Sequence, residues 1–223
     1  MQPHKKLVLV VIGYWLLVGA NSQCPIANSQ CPMPHAPCPI PNSQLPMNLS
    51  EFIERSIGKW RSQRSAHHLA FSHFEEVRST IDIVALNADD LEVVELCQSY
   101  NIDPATAAHP FRMSWAGESD WDEKEVLEGS CVLVPVPNAE NPSEGKLLRD
   151  RGYAETVPAV GRYQLTEDGT FILITEYDRA SAEERIWFGT PNLRFRVSLI
   201  KTGDGAGVTT ASFSSEIRSL SGN

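Results

Sequence analysis

Residues 183–200, EERIWFGTPNLRFRVSLI, read as two strands joined by a Gly-Thr-Pro-Asn turn. In the second strand Leu193, Phe195, Val197 and Leu199 alternate with Arg194, Arg196 and Ser198. Strand side chains point alternately to opposite faces, so one face is apolar and the other carries two arginines, roughly 6–7 Å apart at ~3.3 Å of rise per residue. Facing solvent, the pair is ordinary solubility decoration. Facing a cavity, each arginine needs an anionic partner, because an unpaired buried charge costs several kcal/mol.

The same period of two recurs along most of the chain after an opening helix. Asn48 or Ser50 can cap a helix whose apolar positions are Leu49, Phe52, Ile53, Ile57 and Trp60, the spacing of one helix face. A strand from Gln63 onward places Arg64, Ala66 and His68 on one face and Ser65, His67, Leu69 and Phe71 on the other. The adjacent histidines diverge and cannot share a metal without distortion. Asp89-Asp90 caps a second helix, LEVVELCQSY. From Phe111 the chain reads almost wholly as strand: FRMSWAGESDW, GSCVLVPVP ended by its prolines, a short KLLRDRGY piece, the hairpin GRYQLTEDGTFILITEY, the opening pair, and VTTASFSSEIRSL. The intervening TGDGAG lacks the Lys-Ser/Thr of a phosphate loop and is a turn.

Eight to ten sequential strands with hairpin links, two or three helices and no alternation of strand with helix exclude a parallel sheet. A sheet of that length in one small domain tends to close on itself. The expected fold is mainly β: a single antiparallel, lipocalin-like barrel with flanking helices, able to hold one small ligand.

The front of the chain is different material. Lys5 and Lys6 precede an unbroken apolar run at residues 7–20, too short for the ~20 residues of a membrane span and suited to a signal-peptide core. An uncleaved anchor is the alternative. In residues 21–46, Cys24, Cys31 and Cys38 recur every seven residues, each before a proline. Prolines at this density leave an extended linker or transit segment, and the cysteine spacing does not suit zinc. The expected division is a signal peptide at 1–20, a Pro/Cys-rich segment at 21–46 and one domain at 47–223. The net charge is −9; residues 1–46 hold two lysines and no acid, so the body carries −11. That argues against a general nucleic-acid binder. Cys97 and Cys131 read as buried free thiols.

No nucleophile motif and no metal-ligand set stands out. What remains on the strands is Arg64, His68, Trp115, Trp121, Glu176, Glu184, Arg185, Trp187, Arg194 and Arg196. Arginine beside aromatic surface suits a flat, conjugated molecule bearing carboxylates, held by charge-assisted bonds of ~1.5–3 kcal/mol each. Equally, Glu176 or Glu184 can pair with Arg185 or Arg194 across neighbouring strands.

Three long runs shift that balance: WRSQRSAHHL at Trp60–Leu69, CVLVPVPNAENPSEGKLLRDRGYAE at Cys131–Glu155, and ITEYDRASAEERIWFGTPNLRFR at Ile174–Arg196. They resemble the S-type phycobilin lyases (the CpcS/CpeS family), in order, from about Met47 to Arg218. The resemblance implies a lipocalin-like barrel that binds an open-chain tetrapyrrole, phycoerythrobilin being favoured, and attaches it by a thioether to a cysteine of a phycobiliprotein subunit, with no cofactor besides that substrate. A non-catalytic bilin carrier is the alternative. It further implies catalytic roles for Glu184, Arg194 and His68. Bilin contacts fall to Arg64, Trp121, Trp187, Arg194 and Arg196, with Arg194 and Arg196 on the two propionates. The acceptor, an apo-phycobiliprotein subunit, supplies the nucleophile. A homodimer is a further expected partner arrangement, and no stable membrane insertion of the body is expected. The added front end departs from cytoplasmic relatives and points to import into a plastid of cryptophyte kind, with secretion or an envelope location as the alternative.

Overall fold

A computed structural model describes residues 47–119, 126–151, 159–205 and 207–220. The signal peptide and linker expected at residues 1–46 lie outside the described residues.

The chain forms α1 (Leu49–Ser56) and α2 (Leu91–Ser99) and ten strands. These are β1 (Gly58–His68), β2 (His73–Ala85), β3 (Phe111–Ser119), β4 (Val126–Pro137), β5 (Glu144–Arg149), β6 (Ala159–Leu165), β7 (Phe171–Glu176), β8 (Ala180–Thr190), β9 (Leu193–Thr202) and β10 (Val208–Arg218). Each strand pairs antiparallel with its sequence neighbours, and β10 returns to β1, closing the barrel. The expected mainly-β antiparallel barrel is therefore the observed fold, at the upper end of the strand count.

α1 is built by a reciprocal cap: Glu51 N donates to Asn48 Oδ1 at 2.9 Å, and Asn48 N donates to Glu51 Oε2 at 3.1 Å. Its face of Leu49, Phe52 and Ile53 packs with Leu133, Leu147, Leu165, Phe171 and Ile186, and Phe52 stacks on Phe171 at 4.8 Å between ring centroids. The helix thus plugs one end of the barrel with apolar side chains. Trp60 belongs to β1 rather than to this helix, because Gly58 breaks the helix with φ +121°. Arg218 Nη1 occupies the place a Cβ on Gly58 would take and donates to Ile57 O at 2.6 Å. The Trp60 indole N–H donates to Ser56 O at 2.9 Å, tying the plug to the wall.

α2 covers the outside. Val93, Leu96 and Cys97 pack on Val132, Val134 and Leu148, the outward side chains of β4 and β5. β4 also runs through the prolines expected to end it. Pro135 O accepts from Ala108 N at 2.9 Å, so its missing N–H would point to the side where β3, beginning at Phe111 opposite Leu133, has not started. No ladder bond is lost.

The barrel wall inverts along β9 and β10. Arg194, Ser198, Ser214 and Glu216 are buried on the inside, while Phe195, Val197, Phe213 and Ile217 alternate with them on the outside. The arginine face of the opening strand pair looks inward.

Candidate functional site

Above the apolar plug lies a layer of charge. Arg194 Nε and Nη2 both stand 2.5 Å from Glu216 Oε2. Arg196 Nη1 donates to Glu184 Oε1 at 2.8 Å and its Nε lies 3.4 Å from Glu216 Oε1. Arg149 Nη2 donates to the other oxygen of Glu184 at 2.9 Å. Register explains the meeting: Glu184 lies opposite Ser198, Arg194 opposite Glu216, and Arg149 reaches across from β5. Burial pushes the Glu184 carboxyl up, but the charges and hydrogen bonds of Arg149 and Arg196 pull it further down, leaving it below the ordinary carboxylate value. Burial pulls the Arg194 guanidinium down and Glu216 opposes it.

On the far side of this layer from α1 is a cavity of about 220 Å³. Val77, Ile81, Met113 and Leu133 give it apolar walls; Arg64, Arg149, Arg151, Arg196 and Glu216 bring charge to it. A neighbouring compartment of about 310 Å³ is lined by His68, Ser198, Ile200, Thr210 and Ser212 and shares Arg64 and Trp115 with the first. Sites for ligands of drug size run from roughly 300 to 1,000 Å³, so such a ligand would span both spaces. Around this mouth His68 Nε2 lies 2.8 Å from Glu75 Oε2, and Arg64 Nη2 lies 3.6 Å from the same oxygen. The Trp115 indole lies against Gly129, its partner across β3 and β4; a Cβ there would be 2.6 Å from Cζ2.

Sequence-derived site residues divide accordingly. Arg64, His68 and Arg196 line the cavity or its mouth. Arg194 is inside but deeper: it lines a small space of about 40 Å³ against α1, with its guanidinium 4.7 Å from the Trp60 ring centroid, and does not reach the larger cavity. Glu184 is 1 % exposed and stands behind Arg149 and Arg196. Its across-strand partners are these two arginines, whereas Glu176 pairs with Arg162 and Arg185 with Glu183. Trp187 requires a correction. Three residues after inward Glu184, it has the opposite parity and faces out, 5.5 Å from Phe195 between ring centroids. It cannot bound a ligand inside the barrel. Trp121 lies outside the described residues.

Three residues of the site's ion pairs were missed. Arg149, Glu75 and Glu216 each carried a signal: a charged residue in step with inward neighbours, namely Leu147 for Arg149, Val77 and Ile81 for Glu75, and Ser214 for Glu216. Cys131 lines the cavity as a free buried thiol, and Cys97 is free and buried under α2.

A closed antiparallel barrel, plugged at one end and holding a cation-rich cavity beyond the plug, is a container for an anionic ligand. Residues 48–219 match the family described as CpeS-like protein. The chain is 68 % identical over 173 residues to the chromophore lyase CpcS/CpeS 3 of Trichodesmium erythraeum, covering 78 % of this chain and all of that protein. It is 59 % identical over 157 residues to a Microchaete diplosiphon protein named as a candidate phycoerythrobilin lyase CpeS, covering 70 % of each chain. The solved structure of the S-type phycobiliprotein lyase CPES from Guillardia theta matches with 53 % identity and a TM-score of 0.69, over 79 % of this chain and 95 % of that one. The chain belongs to the CpcS/CpeS chromophore lyase family, and its enzymatic class is bilin attachment.

Proposed function

We propose that this enzyme takes a free phycobilin, phycoerythrobilin in particular, into the barrel and presents it to a cysteine of a phycobiliprotein β subunit. The observation that carries the reading is the apolar-walled cavity with buried arginines at its base. Similarity to the Microchaete protein supports the choice of phycoerythrobilin.

The acceptor thiol adds across the ethylidene double bond: sulfur bonds to the exocyclic carbon, and a proton ends on the ring carbon. No oxidant enters. His68, which contacts Glu75 at the mouth, moves that proton in this reading. Arg64 and Arg196 meet the chromophore, and Trp121 is retained as a contact on the strength of the family resemblance. Glu184, kept ionised, acts by fixing Arg149 and Arg196, and Arg194 by fixing Glu216. The rest of the catalysis is positioning and choice of face for an intrinsically reactive addition.

Incubation with phycoerythrobilin and an apo-β subunit tests this. A denaturation-stable adduct, formed faster and with a single stereochemistry compared with the reaction lacking enzyme, is the expected result. No gain over the spontaneous reaction would leave a bilin carrier.

The proposal includes removal of residues 1–20 as a signal peptide and use of 21–46 for entry into a plastid. A fluorescent protein fused behind residues 1–46 should accumulate there; secretion or envelope retention would refute it. It also includes a homodimer. A closed barrel has no free strand edge, so two copies would meet through the outward aromatics Trp187, Phe195 and Phe213. A sedimentation measurement giving a monomer that Phe213→Glu leaves unchanged would remove it.

A further inference from the structure

We infer that Arg149 is the buried cation of a carboxylate subsite at the base of the cavity and takes one propionate of the linear tetrapyrrole. This rests on the function proposed above and changes the residue that does the holding.

Arg149 is 5 % exposed and lines both the 220 Å³ cavity and the small space beneath it. Its Nη2 is committed to Glu184, but its buried Nε has no hydrogen-bond partner among the described residues. Buried polar groups are almost always satisfied, and an orphaned donor on a charged group calls for an explanation such as a missing ligand. The charge balance agrees. Among the described residues the layer holds Arg149, Arg194 and Arg196 against Glu184 and Glu216, one positive charge in excess. Both oxygens of Glu184 are taken by Arg149 and Arg196, and Glu216 is bound to Arg194. A carboxylate entering from the cavity would cancel the excess and supply the acceptor that Nε lacks. Arg194 is not available for this, since it stands on the α1 side of the layer and does not line the 220 Å³ cavity. The apolar side chains of Val77, Ile81, Met113 and Leu133 beside Arg149 fit the flat, conjugated body to which such a carboxylate is attached.

The test uses phycoerythrobilin and its dimethyl ester, titrated into the wild-type chain, Arg149→Gln and Arg149→Lys. In the wild type, esterification should weaken binding by about tenfold or more, the worth of one charge-assisted bond. In Arg149→Gln the free acid should lose a similar factor and the ester little, so the acid-to-ester preference collapses. Arg149→Lys should keep part of it. A preference in Arg149→Gln equal to that of the wild type, with an unchanged circular dichroism spectrum, overturns the inference. If Arg149→Gln does not fold, two results still decide. A wild-type preference near one overturns the inference, and so does Arg149→Lys matching the wild type in both affinities. Wild-type protein that binds neither form would instead overturn the proposed function. Wild-type attachment of bilin to the apo-subunit, measured alongside, tells the two failures apart.

Discussion

Arg194 and Glu216 form an ion pair from which solvent is excluded, with side chains 2 % and 1 % exposed and two guanidinium nitrogens on one carboxylate oxygen. Cutting such a pair leaves one charge buried without its partner, at a cost of about 3–5 kcal/mol. Arg194→Ala should lower stability by that order in urea unfolding. It should also weaken bilin binding sharply, although Arg194 does not itself line the 220 Å³ cavity, because the released Glu216 would draw on Arg196, already 3.4 Å away. Replacing Arg194 and Glu216 together by methionine should recover most of the stability, since apolar substitution of a whole buried pair is often neutral.

The charge layer also sets the acid limit of the fold. Burial raises the Glu184 carboxyl and Arg149 with Arg196 lowers it by more, so its folded value lies below the unfolded value of ~4.3. Its contribution to stability is therefore present above that value and is lost as pH falls through the folded one. Urea midpoints measured from pH 7 down to pH 3 should drop over this interval. Glu184→Gln should start lower at pH 7 and decline less steeply; an identical slope would show that Glu184 contributes nothing to acid sensitivity.

Strand count and closure were legible because the period of two persists through eight to ten segments; alternation alone left the face of Arg194 and Arg196 open, and closure supplied the cavity for it to face. Partner choice was not legible. Glu216 is 22 residues from Arg194 and Glu184 is 35 from Arg149, and only the barrel's register joins them. A slip of one residue would have sent each set to the opposite face. Trp187 shows the reverse case: parity within β8 separates it from Glu184, and the role implied by the family resemblance overrode that information. Trp60 was misassigned because it follows Ile57 at helical spacing, while the break between them is made by Gly58 and its +121° φ.

Cys131 stands in the cavity of an enzyme whose substrate reacts with thiols, yet it should stay unmodified. Burial, with the neighbouring Asp150, pushes its thiol up to about 12, and Sγ lies within 3.5 Å of the carbonyl oxygens of Val132 and Arg151. The thiolate is the reactive species, and at neutral pH its population is negligible. Iodoacetamide should label Cys131 slowly in the folded protein and rapidly in denaturant, as read by peptide mass. Incubation with phycoerythrobilin alone should give no bilin–Cys131 adduct after denaturation; such an adduct would show that the enzyme competes with its own acceptor.

Trp115 owes its position to the absence of a side chain at Gly129. The indole bridges the two compartments, and a Cβ on Gly129 would press to 2.6 Å of Cζ2, well inside van der Waals contact. Gly129→Ala should swing the indole toward the shared space and cost about 1–3 kcal/mol, as overpacking does. Bilin affinity should fall because the passage between the compartments narrows at Trp115. Adding Trp115→Phe to Gly129→Ala removes the clashing atoms, so the double variant should bind better than Gly129→Ala alone. That reversal, read by bilin absorbance titration alongside thermal unfolding, separates a blocked cavity from general damage to the β3–β4 ladder. Equal affinities for the single and double variants would mean that Trp115 does not control access to the space above Arg149.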